Sequence, residues 1–156
     1  MGINLDDFDR SILRLLQTNC DLPLNAIAER VHLSRNACWR RIKRLDDDGV
    51  IRARVALLDP QKMNLGLRVL ISVRTDKHTP EWLDAFHKAV AGMSEITEVL
   101  RTSGQTDYIL TAIVPDMKSY DQLYQRLIER IELSDVSSSF VMEEIKSTTA
   151  LPLSYV

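Results

Sequence analysis

Cysteine, glycine and proline are all scarce in this chain, at two, five and five among 156 residues. Cys20 and Cys38 cannot cage a metal without other ligands, and in a reducing compartment they read as small core residues, not as a disulfide. The three histidines, His32, His78 and His87, fall in different elements with no HxxxH or CxxC spacing, so no metal site is expected. So few Gly and Pro leave no room for a long low-complexity linker. No apolar run approaches the ~18 residues of a membrane span, which excludes an integral membrane protein and a membrane partner. Met1 to Leu5 runs straight into Asp6, Asp7 and Asp9, without a basic segment backed by an apolar one. A secretory signal is therefore not expected, and the location is expected to be cytoplasmic. What remains is ordinary globular composition, 45% hydrophobic and 27% charged, enough for one domain or two small ones.

The net charge of -2 hides an asymmetry. Residues 1–64 carry 11 Lys+Arg against 9 Asp+Glu, and residues 65–156 carry 9 against 13. Arg35, Arg40, Arg41, Lys43 and Arg44 lie in ten residues without an acid. A solvated helix face would explain such a run equally well, so its context has to decide.

Asp6 and Asp7 precede Phe8, Ile12, Leu13, Leu15 and Leu16, an apolar stripe at helical spacing with acids at its positive end, which predicts a helix ending near Asn19. After Pro23, Leu24, Ile27, Ala28 and Val31 predict a second, short helix. Val31-His32-Leu33 is then a tight connection to Ser34, a good N-cap, and Cys38, Ile42 and Leu45 are the inner stripe of a third helix. Two short helices, a tight turn and a longer basic helix match a helix-turn-helix, whose expected partner is double-stranded DNA. The third helix leaves Arg35, Asn36, Trp39, Arg40 and Lys43 on its open face. Arg35 and Asn36, in the first turn after Ser34, are candidates for base edges; Arg40, Lys43 and Arg44 are candidates for phosphates. Trp39 fits either DNA or a neighbouring helix. Asp48-Gly49 stops the helix, and the alternation of Ile51, Ala53, Val55 and Leu57 predicts a strand over 50–58. The expected divisions are an amino-terminal domain at 1–58, a linker at 59–66 and a second domain at 67–156.

In the second domain Leu67, Val69, Ile71 and Val73 alternate as a strand. Thr79-Pro80 opens a helix with Trp82, Phe86, Ala89, Val90 and Met93 on one face. Strands are expected at 96–103, 108–114 and 136–145, with a helix after Pro115-Asp116 whose inner face is Tyr120, Leu123, Tyr124, Leu127 and Ile131. The order βαββαβ indicates a ferredoxin-like unit, so the whole chain is α+β. One face of the sheet lacks a cover, which predicts a homodimer. Between the second and third strands, Gly104-Gln105-Thr106-Asp107-Tyr108 is either a plain hairpin or a site where backbone N–H groups meet a small anion and Asp107 meets an ammonium. Those are the two ends of a free amino acid. An enzyme would need a nucleophile, metal set or paired acids together, and Glu143-Glu144 point to opposite sides of a strand.

The order of several motifs resembles the Lrp/AsnC (feast/famine) family of prokaryotic transcription regulators over essentially the full length. The carriers are Leu5-Asp6-x-x-Asp9-x-x-Ile12-Leu13, Leu33-Ser34-x-x-x-Cys38-x-Arg40-Arg41-Ile42-x-Arg44-Leu45, Gly49-Val50-Ile51 and Ala56-Leu57-Leu58-Asp59-Pro60, followed by Gly104-x-x-Asp107-Tyr108, Val114-x-Asp116-Met117 and Val141-Met142-Glu143-Glu144-Ile145-Lys146. The resemblance implies a non-enzymatic DNA-binding dimer that joins into higher oligomers, commonly octamers, and needs no cofactor. It also implies an amino acid effector between subunits of adjacent dimers. Carried onto this chain, the effector site falls on Thr102, Ser103, Gly104, Asp107 and Tyr108, facing Ser139 and Val141 of the last strand. Ser137-Ser138-Ser139 favours a small or polar effector. Many members have prolines where this chain has Arg35-Asn36-Ala37, so base preference does not transfer. A relative that has lost DNA binding would lack the basic helix found here.

Overall fold

The computed structural model describes residues 4–156, so the first three residues of the expected amino-terminal domain lie outside it. The chain divides into two compact units, residues 1–56 with 146–156, and residues 57–145. In the first unit, α1 (Asp7–Thr18) starts at a reciprocal cap: Asp6 accepts from the Asp9 N–H, and Asp9 accepts from the Asp6 N–H. α2 (Leu24–Arg30) follows Pro23, and α3 (Arg35–Asp47) starts at Ser34, whose hydroxyl accepts from the Ala37 N–H at 3.3 Å. Their core is Leu5, Ile12, Leu13, Ile27, Ala28, Val31, Cys38 and Leu45, with Ile42 half-buried at its edge. Burial pushes the Cys38 thiol pKa up, so it behaves as a small apolar residue.

The turn between α2 and α3 reverses the chain through His32, at φ 55°. The Leu33 N–H donates to the Ala28 carbonyl at 2.9 Å across it, closing α2. Gly49, at φ 71°, ends α3 in the same left-handed way.

Two expectations are corrected. Residues 50–58 form no strand: they join no ladder among the described residues, the Ile51 N–H donates to the Leu45 carbonyl at 3.1 Å, and Val55, Leu57 and Leu58 are exposed. Alternation describes a strand's faces and does not supply the partner that a ladder needs. Residues 146–156, expected in the second domain, group instead with the first unit. The Gln17 side chain both donates to and accepts from the Leu151 backbone, Arg10 donates to the Val156 carbonyl at 2.8 Å, and Leu153 packs at the edge of the three-helix core.

The second unit is the expected α+β, ferredoxin-like fold. Its elements are β1 (Leu67–Arg74), α4 (Pro80–Ala91), β2 (Ile96–Arg101), β3 (Tyr108–Val114), α5 (Met117–Arg130) and β4 (Asp135–Phe140). All pairings are antiparallel, in the order β2-β3-β1-β4. β2 and β4 are shorter than expected, ending at Arg101 and Phe140. α4 and α5 bring Trp82, Phe86, Ala89, Val90, Tyr120, Leu123 and Leu127 into the core with Val69, Ile71, Val73, Tyr108, Leu110, Ala112 and Val114 of the sheet. The opposite sheet parity carries Leu70, Ser72, Leu100, Ile109, Thr111 and Ser139, and Leu70 and Leu100 are exposed there.

Candidate DNA-reading helix and effector loop

α3 is amphipathic for a simple reason: Cys38, Ile42 and Leu45 recur at three- and four-residue spacing and face α1 and α2, which turns the intervening residues outward. Ser34, Arg35, Asn36, Trp39, Arg40, Lys43 and Arg44 are all exposed. The Trp39 indole is 52% exposed, so no neighbouring helix covers it. Lys43 pairs loosely with Asp47 one turn on, at 3.1 Å, an exposed bond that solvent weakens. Arg44 behaves differently from the others. It folds back to Asp9 on α1 at 2.5 Å. Arg41 joins it there, donating to Asp9 at 2.9 Å and Asp6 at 2.7 Å, with its guanidinium 5.2 Å from the Phe8 ring centre. These bonds raise the Arg41 pKa further, the Asp6 bond most. The Asp6 carboxyl is held below its ordinary pKa, chiefly by the Asp9 N–H and then, against partial burial, by Arg41.

This acidic hub was missed in reading the sequence, although Asp6 and Asp9 stood among the motif residues. Acids in a first helical turn suggest dipole compensation, and nothing local ties them to arginines more than thirty positions away.

Of the expected effector residues, Thr102, Ser103, Gly104, Asp107 and Tyr108 lie at the β2–β3 loop, whereas Ser139 and Val141 lie on or just after β4, beside Leu70 and Arg68 of β1 and away from the loop in a single copy. The Thr102 N–H donates to the Asp107 carbonyl at 2.9 Å and its hydroxyl to the Thr106 carbonyl at 2.5 Å, closing the loop. Asp107 ties that loop to the end of β1: its N–H donates to the Val73 carbonyl, and its Oδ2 accepts from the Thr75 N–H at 2.9 Å. Asp107 Oδ1 and the N–H groups of Ser103, Gly104, Gln105 and Thr106 have no partner among the described residues. Gly104 lies at φ 121°, and a Cβ there would meet nothing within 4 Å. A larger residue at 104 therefore acts through backbone strain, not by filling space.

Tyr108 departs from expectation. Its ring is buried, 4.7 Å from Phe86 and 5.8 Å from Trp82, on the helix-covered side of the sheet. An effector side chain at the loop cannot lie against that ring. Ser139 has the opposite parity and is exposed, and Val141 follows β4 with its N–H bonded to the Arg68 carbonyl. Ser138 turns inward to the Tyr120 hydroxyl. Two surface hollows, one along α4 and β2 from His87 to Val99 and one between α5 and β4 around Ile128 and Leu133, include neither Gly104 nor Asp107.

Comparison with known proteins finds two domains in the same order, although the match to the second domain runs on through residues 146–151, which group with the first unit here. Residues 68–151 match the Lrp/AsnC ligand binding domain, and residues 5–52 match a winged helix-turn-helix DNA-binding domain. The chain belongs to the Lrp/AsnC family. Among its relatives is the DNA-binding transcriptional activator DecR of Escherichia coli K12, 47% identical, with 96% of this chain and 99% of the relative covered. An AsnC family regulator from Agrobacterium tumefaciens superposes with a TM-score of 0.93 at 50% identity, covering 97% of this chain and 99% of that one. A Neisseria meningitidis transcriptional regulator, solved with L-methionine, gives a TM-score of 0.93 at 37% identity over the same shares. This Lrp/AsnC protein is thus a DNA-binding transcription regulator with a ligand-binding domain. No helix among the described residues is long and apolar enough to cross a membrane.

Proposed function

We propose that the chain reads its operator with α3 and that a small free amino acid, bound at the β2–β3 loop between subunits, changes its DNA binding or assembly. The observation that carries the effector reading is the pairing of unused N–H donors at 103–106 with the unused Oδ1 of Asp107. A carboxylate suits the donors and an ammonium suits Asp107, since either charge is costly to shield from water unpaired. The L-methionine held by the Neisseria relative supports this ligand class. Ser103, Gly104 and Gln105 are exposed in one copy, whereas a small-molecule site buries most of its ligand, so a second subunit has to complete it. Thr102, Ser139 and Val141 are the further wall residues in this reading. No metal or other cofactor is required.

The DNA-facing set in the same reading is Ser34, Arg35, Asn36, Trp39, Arg40 and Lys43. A homodimer would cover the open sheet face, pair residues 50–58 across a two-fold axis, and present two copies of α3 to a near-palindromic operator. Dimers would join further, as an octamer, in the cytoplasm. Thermal-shift screening of the twenty amino acids selects the effector, and calorimetry with that compound on wild type and Asp107→Asn tests the site. Loss of binding in a folded Asp107→Asn protein is expected; equal affinity would reject the role of Asp107. Sedimentation with and without the effector tests assembly, and a monomer at micromolar concentration would reject it.

A further inference from the structure

The recognition helix carries five cations but does not hold them alike. Among the described residues, Arg35 and Arg40 have no acidic partner, and Lys43 has only the exposed Asp47. Arg41 and Arg44 converge on a single carboxylate, Asp9, which is 1% exposed although it stands in the first turn of α1. Both oxygens of that carboxylate are engaged, by three donors in all. Oδ1 takes Arg41 at 2.9 Å, and Oδ2 takes Arg44 at 2.5 Å and the Asp6 N–H at 3.2 Å. A buried charge with this many donors tolerates only a narrow range of positions, so the bonds fix both the axial position and the rotation of α3 against α1. On α3 itself, Arg44 lies one residue beyond Lys43 on the flank of the open face, with a side chain long enough to reach outward. Its orientation toward Asp9 is therefore imposed by the hub.

We propose that Asp9 is a positioning residue for DNA recognition, withdrawing Arg41 and Arg44 from the DNA backbone and fixing the helix rotation that presents Arg35, Asn36, Arg40 and Lys43. The inference rests on α3 being the DNA-reading helix. It assigns an affinity-limiting role to an acid on a different helix. Phosphate contacts raise affinity for every sequence alike, so holding two cations back lowers non-specific binding while the base-reading set is kept in register.

The experiment uses a 30-base-pair duplex selected by the wild-type chain from a randomised pool, and a scrambled duplex of the same composition. Binding is measured across salt concentrations for wild type, Asp9→Asn and Asp9→Asn/Arg44→Gln, each checked for folding by circular dichroism. Freeing an arginine onto a phosphate should steepen the slope of log K against log salt by about one in Asp9→Asn, and removing Arg44 as well should reverse that gain. The preference for the selected duplex over the scrambled one should fall at least tenfold. A merely loosened helix would lower affinity without steepening the slope, and a folded Asp9→Asn protein with an unchanged or shallower slope overturns the proposal.

Should Asp9→Asn not fold, arginine modification by phenylglyoxal in the wild-type protein, read by mass spectrometry with and without the selected duplex, gives an independent test. Arg35 and Arg40 should be protected by DNA, and Arg41 and Arg44 should react equally in both states. Protection of Arg44 equal to that of Arg40 overturns the role of Asp9 alone. Absence of protection at Arg35 and Arg40 overturns the recognition-helix reading, and the inference falls with it.

Discussion

The two units of this chain reach a defined structure by different physical means. In the second unit, four aromatic residues, Trp82, Phe86, Tyr108 and Tyr120, lie within one apolar core between sheet and helices. In the first, the buried core residues are aliphatic except for Cys38, and the buried group at the α1–α3 junction is a carboxylate. Apolar burial scales with area and has little directional preference, so a large core can be held by packing alone. A small three-helix unit has less area to use, and the Asp9 cluster adds direction where packing adds little. The unit whose surface must match DNA is thus oriented by charge, and the ligand-binding unit is oriented by shape.

The sharpest way to break this contrast is to remove the largest aromatic contact. Phe86 is fully buried, stacked on Trp82 at 5.1 Å with planes 9° apart and tilted against Tyr108. Phe86→Ala is expected to cost about 3–5 kcal/mol from lost burial and the cavity left behind. Urea unfolding followed by amide exchange should place that loss in β1 and β3; a cost below about 1 kcal/mol would contradict a packing-held core. In the other unit, Asp9→Ala strands two arginines. Both keep some access to water, which screens the charge they leave unpaired, so the expected cost is smaller, about 1.5–3 kcal/mol. Exchange should then rise in α1 and α3. A rise confined to the second unit would show that the hub does not hold these helices.

The same contrast explains what could be read in advance. Every helix start marked by its own residues was legible: Asp6, Ser34, Thr79-Pro80 and Asp116 each cap the helix that follows. The period-two run of Leu67, Val69, Ile71 and Val73 also located β1, because its buried residues alternate along the strand. Long-range facts were not legible. Tyr108 sits on the covered side because of the strand's register, and one step of register exchanges the faces. Residues 50–58 have the pattern of a strand, yet pairing depends on a neighbour that pattern cannot name. Asp9 and Arg44 meet only after α1 and α3 pack, and residues 146–156 return to α1 through backbone bonds to Gln17 and Arg10 that leave no periodic trace.

Two left-handed residues in the first unit give effects of opposite sign. His32 holds φ 55° in the turn before α3, a conformation that costs an ordinary L-residue about 1–2 kcal/mol, whereas glycine adopts it freely. His32→Gly is expected to stabilise by about 0.5–1 kcal/mol, after the greater freedom of glycine in the unfolded chain is offset. Gly49 is at φ 71° with open space around its missing Cβ, so Gly49→Ala is expected to destabilise by about 1 kcal/mol through backbone strain alone. Thermal melts of the two variants should move in opposite directions. Movement in the same direction would mean that side-chain contacts, not backbone conformation, govern these turns.

The smallest expected effect separates the outer acid of the hub from the inner one. The Asp6 carboxyl is held below its ordinary pKa of 3.8, first by the Asp9 N–H and then, against partial desolvation, by Arg41. A carboxyl whose folded pKa is lowered contributes stability above its unfolded pKa, and that contribution is lost as the pH falls from about 3.8 through the lower folded value. Half of the Asp6 side chain is exposed, so solvent screens the pair with Arg41 and its charge contributes only a few tenths of a kcal/mol. Asn remains a good N-cap, so Asp6→Asn keeps the cap and removes the charge. Wild type should therefore exceed Asp6→Asn slightly in stability between pH 5 and 7, and the gap should close below about pH 3.8. A gap that persists unchanged to pH 2.5 would assign the role of Asp6 to cap geometry and leave Asp9 as the only charge orienting α3.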